Sequence, residues 1–360
     1  MSTLKVDTLK NGSSSAIDFP QNLKIGGNSI IQGYTSSATE PSSPATGDYW
    51  WDSSNEKLYR YINDEFKELT LSSVGTGYGD RGFSIGGASA RTQIDYWDMT
   101  TSSNSADFGD LATSMNNAAL AGGSTMFAIG ASSIESFSPA TLGNASSYAS
   151  HHLTSPAYGT AQSNGSIVIH AVGQHSGGTY SNNISQFNTT GGQNATDFGD
   201  LTQGRNEHSS CSNGTRFVCM GGTTGPSPGV NTMDYVTFAT PGNATDFGDM
   251  SAGKHAFAGC GTGEGDRGLV MGGGSATVNV IEYITVSTTG NMTDFGDLQV
   301  ACYYNAGCHN ATKAHSVAGY GSSAINNIQQ VVMATTGNAT DHGDLTHNAY
   351  YHRASSGAAS

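Results

Sequence analysis

From residue 72 onward, apolar and polar positions come in short runs separated by Gly- and Asn-rich breaks. HSSCSNG, from His208, is a run of small residues, and RFVCMGG, from Arg216, is apolar until it ends in a Gly pair. MDYVTF, from Met233, alternates as a half-buried strand does, and TDFGD, from Thr245, reads as a short outer strand or turn. The predicted unit is therefore four short strands. Lys, Glu and Leu, which build long amphipathic helices, are scarce, and this also favours strands.

The unit repeats. An Asn-led phrase centred on Asp-Phe-Gly-Asp, with His for Phe in the last copy, begins at Asn104, Asn194, Asn243, Asn291 and Asn338, and its first Asp is Asp107, Asp197, Asp246, Asp294 and Asp341. The steps between these Asp residues are 90, 49, 48 and 47. The first step is about two periods, and NASSYASHHL from Asn144 supplies a degenerate copy inside it, with Ser147 in the Asp place and Tyr148 in the Phe place. Six units with a period of roughly 40 to 50 residues predict a β-propeller. Fourteen places after each anchor stand Ala121, Ala161, Cys211, Cys260, Cys308 and Ser355, all small, as innermost strands require where blades converge. Three of the five cysteines thus read as small core residues.

RGFSIGG from Arg81 is already a second strand, while NAYYHRASSGAAS from Asn348 is an innermost strand with nothing after it. The expected solution is that the C-terminal strand completes the first blade and closes the ring without edges.

The order of a double Gly, a Tyr, an aromatic, a Leu and then a new blade resembles the kelch repeat. The Gly pairs are Gly86-Gly87, Gly221-Gly222 and Gly272-Gly273, and the tyrosines are Tyr96, Tyr235 and Tyr283. Phe108, Phe198, Phe247 and Phe295 stand where kelch repeats usually have Trp. Units two, three and six carry GAS, GQH and GYG in place of the Gly pair. The resemblance spans 72–360 and implies an all-β, six-bladed kelch-like propeller. In that frame the Phe packs between blades, the Gly permits a turn and the Asp side chains accept from local backbone N–H groups. The rival reading, repeated Ca²⁺ sites, needs six to eight oxygens each, and two carboxylates per repeat fall short of that.

Residues 1–71 lack the repeat. YWW, LYRYI and FKEL read as strands of a small β-rich region separated by turns at SSNE and NDE. Gly47-Asp48-Tyr49-Trp50-Trp51-Asp52 followed by Leu58-Tyr59-Arg60-Tyr61 resembles N-terminal segments of bacteriophage tail fibres and other virion appendages. The opening STLKVDTL resembles the start of marine cyanophage structural proteins. The resemblance implies a virion component, assembled in the host bacterial cytoplasm, whose arm contacts other virion proteins and forms a homotrimer.

The net charge of −14 argues against nucleic acid and anionic membranes as partners. No apolar run reaches transmembrane length and none resembles a signal peptide. His151-His152 and the series His342, His347, His352 lack metal-ligand spacing and read as packing histidines, so no metal or other cofactor is expected. No P-loop, GxSxG or zinc signature is present, and no carboxylate pair stands apart from the repeat, so no enzyme is expected. The irregular loops join second to third strands, and the expected receptor contacts are His175, Tyr180 and Asn182 with Arg205, Asn206 and His208 on the adjoining connection. Three functions stay open: a head that binds a host-surface glycan or protein, a capsid or tail decoration or adaptor protein, and a polysaccharide-degrading enzyme.

Overall fold

The structure is a computed structural model describing residues 22–25, 28–32, 34–45, 48–52, 57–62, 65–68, 79–88, 91–115, 117–131, 133–176, 178–225, 229–261, 266–274 and 277–357. The chain divides into two compact units, Met1–Val74 and Gly75–Ser360. The opening STLKVDTL and the turn at SSNE lie outside the described residues.

In the first unit Tyr34–Ser37, Tyr49–Asp52, Lys57–Ile62 and Glu65–Glu68 form one sheet in that order. Its first pair is parallel and the other two are antiparallel. Trp50 is buried in this sheet, stacks on Tyr59 at 4.9 Å and meets Phe66 edge-on at 5.4 Å. Its indole N–H donates to the Ser37 carbonyl (3.1 Å).

The second unit is a six-bladed β-propeller built from six four-stranded antiparallel sheets. Within a blade the chain runs from the innermost strand outward. Blade 4 shows the pattern, with Ser209–Ser212, Arg216–Met220, Thr232–Thr237 and Thr245–Asp249. Blade 1 is the exception. Its innermost strand is His352–Gly357, which pairs with Arg81–Gly86, so the C-terminal strand closes the ring as the repeat arithmetic predicts. Closure turns both terminal edges into ladder pairs.

The core is divided among the blade junctions. Each of six apolar clusters takes residues from two neighbouring blades. At the junction of blades 4 and 5, Phe247 lies with Val218 and Met233 of one blade and Val270, Ile284 and Met292 of the next. Sheets with apolar faces on both sides have nowhere else to bury them.

The repeated phrase fastens these junctions at the rim. Each Asn side-chain oxygen accepts the backbone N–H at the phrase's last Asp position in the preceding blade. The pairs are Asn144 with Asp110, Asn194 with Ser150, Asn243 with Asp200, Asn291 with Asp249, Asn338 with Asp297 and, across the closure, Asn104 with Asp344, all at 3.0–3.1 Å. The Gly is needed for close approach rather than for a turn. A Cβ on Gly248, which has φ 140°, would run into the Gly290 carbonyl of blade 5. Phe108, Phe198, Phe247 and Phe295 are buried, and His342 takes their place in blade 6. The first Asp of each phrase, Asp107, Asp197, Asp246, Asp294 and Asp341, is exposed. The expected Asp-to-backbone role therefore belongs to the Asn at the head of the phrase.

Two further devices bridge blades. Arg216 and Arg267 each lie over a tyrosine ring of their own blade, Tyr235 and Tyr283, at 4.7 Å. They donate onward to the Val286 and Met333 carbonyls of the next blade (3.3 and 2.8 Å). The third strands of five blades also bury a polar side chain, Asp95, Glu135, Asp234, Glu282 and Gln329, which binds the end of the previous blade's outer strand or the residues just past it.

One expectation is corrected. The connection into blade 3 holds an extra residue, so the position equivalent to Cys211 is Gln162, paired with Ile169 as Cys211 is with Val218. Ala161 points the other way along the strand, and Gln162 Nε2 donates to the Ser210 carbonyl (3.2 Å).

Candidate functional site

The two faces of the propeller differ. On one, the turn from innermost to second strand is held in the same way in three blades. Asn164, Asn213 and Asn310 each accept backbone N–H groups two and three residues ahead. On the other face, the second-to-third loop pairs with the connection entering the blade, at Ala157–Gln174, Asn206–Thr223 and Tyr303–Tyr320.

These connections form a collar around the channel mouth. Each holds a left-handed residue at the equivalent place: Asn117 (φ 53°), Tyr158 (55°), Glu207 (52°), Ala256 (58°), Tyr304 (55°) and Tyr351 (59°), and the longer connection into blade 3 has a second, Ser155 (55°). Backbone hydrogen bonds join four steps of the ring. Tyr158 N–H donates to Asn117 O (3.1 Å), Glu207 N–H to Tyr158 O (3.1 Å), Ala256 N–H to Glu207 O (2.8 Å) and Tyr304 N–H to Ala256 O (2.6 Å). Asn takes this conformation easily, whereas Tyr and Glu take it at about 1 kcal/mol each. The fold needs the backbone here, but it does not need the large side chains.

Those side chains meet. The Tyr304 and Tyr351 rings lie 3.7 Å apart between centroids. Tyr158 meets Tyr351 edge-on at 6.3 Å. Glu207 accepts from the Tyr304 hydroxyl (3.5 Å) and pairs with His255 Nδ1 (2.7 Å). Burial, the Tyr351 hydroxyl and the Glu207 charge push the Tyr304 hydroxyl far above the ordinary phenol range, so it stays a donor.

Below the collar the channel is a pocket of about 680 Å³, open mouth included. That is room for a small polar group inside and a ring-sized ligand on the mouth. Thr160, Gln162, Ser209, His208 and Arg353 supply polar wall. Burial, with Arg205 and Arg353 nearby, holds His208 down to about 3, so it is neutral at physiological pH.

The six residues expected to touch a receptor separate into two groups. His175 and Tyr180 sit on a short hairpin, Gln174–His175 with Thr179–Tyr180, which starts beside Tyr158, and Asn182 is exposed next to it. The adjoining connection is where it was expected, since Arg205 N–H donates to Ser181 O (3.0 Å), yet its side chains turn inward. Arg205 is wholly buried, pairs with Asp234 (2.8 Å) and donates to the Cys219 carbonyl (3.4 Å), so its expected surface role is corrected to a structural one. His208 is buried on the channel wall, and Asn206 spends its backbone on Thr223.

The collar was missed. Its residues stand ten places beyond the first Asp of each phrase, eleven in blade 3, and large side chains at that fixed offset are the available signal. His342, His347 and His352 serve packing. His342 Nε2 donates to the Asp98 carbonyl (2.9 Å) and its Nδ1 faces the Gln330 side-chain amide (3.1 Å), His347 lies 3.3 Å from Asp95, and His352 is buried against Ser84 and the Val317 carbonyl. All five cysteines are free and buried. Among the described residues no group of three or more His, Cys, Asp or Glu side chains is placed to hold a metal ion. No protein-family model matches the chain, and no curated protein matches it.

Proposed function

We propose that the chain is a phage virion appendage whose kelch-like propeller is a head for host-surface recognition, carried on an N-terminal arm that binds other virion proteins. The observation that carries this reading is the difference between the faces. One repeats the same Asn-capped turn, while the other combines irregular loops with tyrosines and a glutamate held in left-handed conformations around a pocket. Variation on a rigid, repeated scaffold is where recognition is built. The sequence resemblance at residues 47–61 supports the virion placement and, with it, a trimeric arm.

The test replaces 173–183 with a short Gly-Ser turn and measures adsorption of the purified protein to cyanobacterial cells. Adsorption is expected to fall while the melting temperature holds. Incubation with purified host glycan separates the alternatives. Retention without cleavage supports the recognition head, shortening of the glycan supports a degrading enzyme, and the absence of both retention and cleavage supports a decoration or adaptor protein.

A further inference from the structure

The innermost strand of blade 1 carries a residue the fold does not call for. Two places beyond the collar, the equivalent positions are Ala119, Thr160, Ser209, Ala258 and Ala306 in blades 2 to 6, and Arg353 in blade 1. Five small residues reflect the lack of room near the axis. Arg353 instead reaches past blade 2, and its Nε donates to the Gly159 carbonyl of blade 3 (3.4 Å). Its Nη1 donates to its neighbour's carbonyl at His352 (2.9 Å). A guanidinium carries five N–H donors, and no carboxylate lies within ion-pair distance of this one among the described residues.

Arg353 and Glu207 are the fixed charges among the described lining residues, and Glu207 is already engaged by His255 and Tyr304. The cation therefore faces the pocket with no carboxylate in direct contact, its nearest charge, Glu207, lying beyond ion-pair distance and held by His255 and Tyr304. A partly buried guanidinium of this kind is matched by a planar carboxylate, which takes two parallel N–H donors. Above it, Tyr304, Tyr351 and Tyr158 offer ring faces and hydroxyls, and Glu207, Thr160 and Ser209 offer acceptors and hydroxyls. This is the chemistry of a pyranose ring bearing an acid group.

From this arrangement we infer that the channel mouth binds a carboxylated sugar, with Arg353 on the carboxylate, the tyrosines against the ring and Glu207 on a hydroxyl. One carboxylate is preferred to a phosphate dianion because Glu207 stands in the same pocket and the chain is strongly acidic. The inference rests on the reading of the propeller as a recognition head and names the ligand class of that head.

The experiment titrates the full chain with D-glucuronate, D-galacturonate, N-acetylneuraminate and, as the neutral control, D-glucose, by calorimetry and saturation-transfer NMR. At least one acidic sugar is expected to bind roughly tenfold or more tightly than glucose. Arg353→Gln is expected to remove that difference, and Arg353→Lys to restore part of it. Because Arg353 also holds the Gly159 carbonyl, Tyr304→Phe provides a second variant. It keeps the ring and removes the hydroxyl, and is expected to weaken every bound sugar while leaving the preference for acid intact. Equal binding of glucose, no binding of any acidic sugar, or an Arg353→Gln protein that is folded and binds unchanged would each overturn the inference. Adsorption to cells that persists in any of these cases would leave the recognition head standing and remove only its ligand class.

Discussion

The rim and the channel mouth are both rings of six equivalent positions joined by hydrogen bonds, at all six blade junctions of the rim and at four of the mouth, but they treat side chains in opposite ways. At the rim, Asn stands in the clasp in every blade, and the Gly beside it is kept in five. At the mouth, the same left-handed backbone recurs while the side chain changes from Asn to Tyr, Glu, Ala, Tyr and Tyr. A repeated side chain on a repeated backbone reports what the fold requires. A varying side chain on a repeated backbone, particularly one that resists that backbone, reports what the fold leaves free for recognition.

The largest break is at the closure of the ring by its innermost strand. Removing residues 348–360 takes away the innermost strand of blade 1, the wall position Arg353 and the collar position Tyr351 together. The truncated chain is expected to lose cooperative melting or to precipitate, because Arg81–Gly86 becomes an open edge beside an uncovered core. Circular dichroism and sedimentation check this, and a melt like that of the full chain would refute the closed ring.

Acid comes next. Burial holds His151 down to about 4 and His208, His309 and His352 to about 3. These rings stay neutral in the folded chain, while in the unfolded chain they gain protons below about 6.5. The unfolded state then binds more protons, so stability is full above that pH and is lost as the pH falls from there towards 3 or 4. Each ring contributes up to about 1.4 kcal/mol per pH unit across that window. Melting temperature is expected to drop steeply between pH 6.5 and 5 (about one to two units, the upper part of this window). A flat profile there would mean these histidines are reached by solvent.

The blades were legible because a strict period shows itself. The octet fixes the blade count, and the unmatched strands at the two ends fix the closure. Register within a blade was less secure. One extra residue before blade 3 moved the small-core position from Ala161 to Gln162, which the anchor spacing could not reveal. Arg205 reads as a surface residue because Arg after an outer strand usually is one, and its burial depends on Asp234, 29 residues further on. Lys254 with Glu282 repeats that pairing one blade later, so a cation eight places past the first Asp, matched with an acid just before the Tyr, is the signal. The collar was illegible for a different reason. A left-handed backbone is ordinarily read from Gly or Asn, and here Tyr and Glu occupy it.

Single residues sharpen the contrast. Phe247→Ala empties the junction of blades 4 and 5, where the ring also meets Tyr235 edge-on at 5.9 Å. The expected loss is about 3 to 5 kcal/mol in denaturant unfolding, and a loss below about 1 kcal/mol would place the ring outside the junction.

The last two substitutions are mirror images. Gly248→Ala puts a methyl group against the Gly290 carbonyl at φ 140°, where neither backbone can yield without opening the clasp held by Asn291. A cost of about 2 to 4 kcal/mol is expected. Ala256→Gly makes the opposite exchange at the mouth, where Ala is held at φ 58°. Glycine relieves the left-handed strain but gives the unfolded chain more freedom, and these terms are each about 1 kcal/mol and opposed. The stability change is therefore expected to stay within about 0.5 kcal/mol of zero, with the backbone bonds from Ala256 N–H to Glu207 and from Tyr304 N–H to Ala256 retained. Paired urea melts of the two variants measure the asymmetry directly. Equal losses at the two sites would mean that the collar side chains are set by the fold, and the distinction between rim and mouth would fall with them.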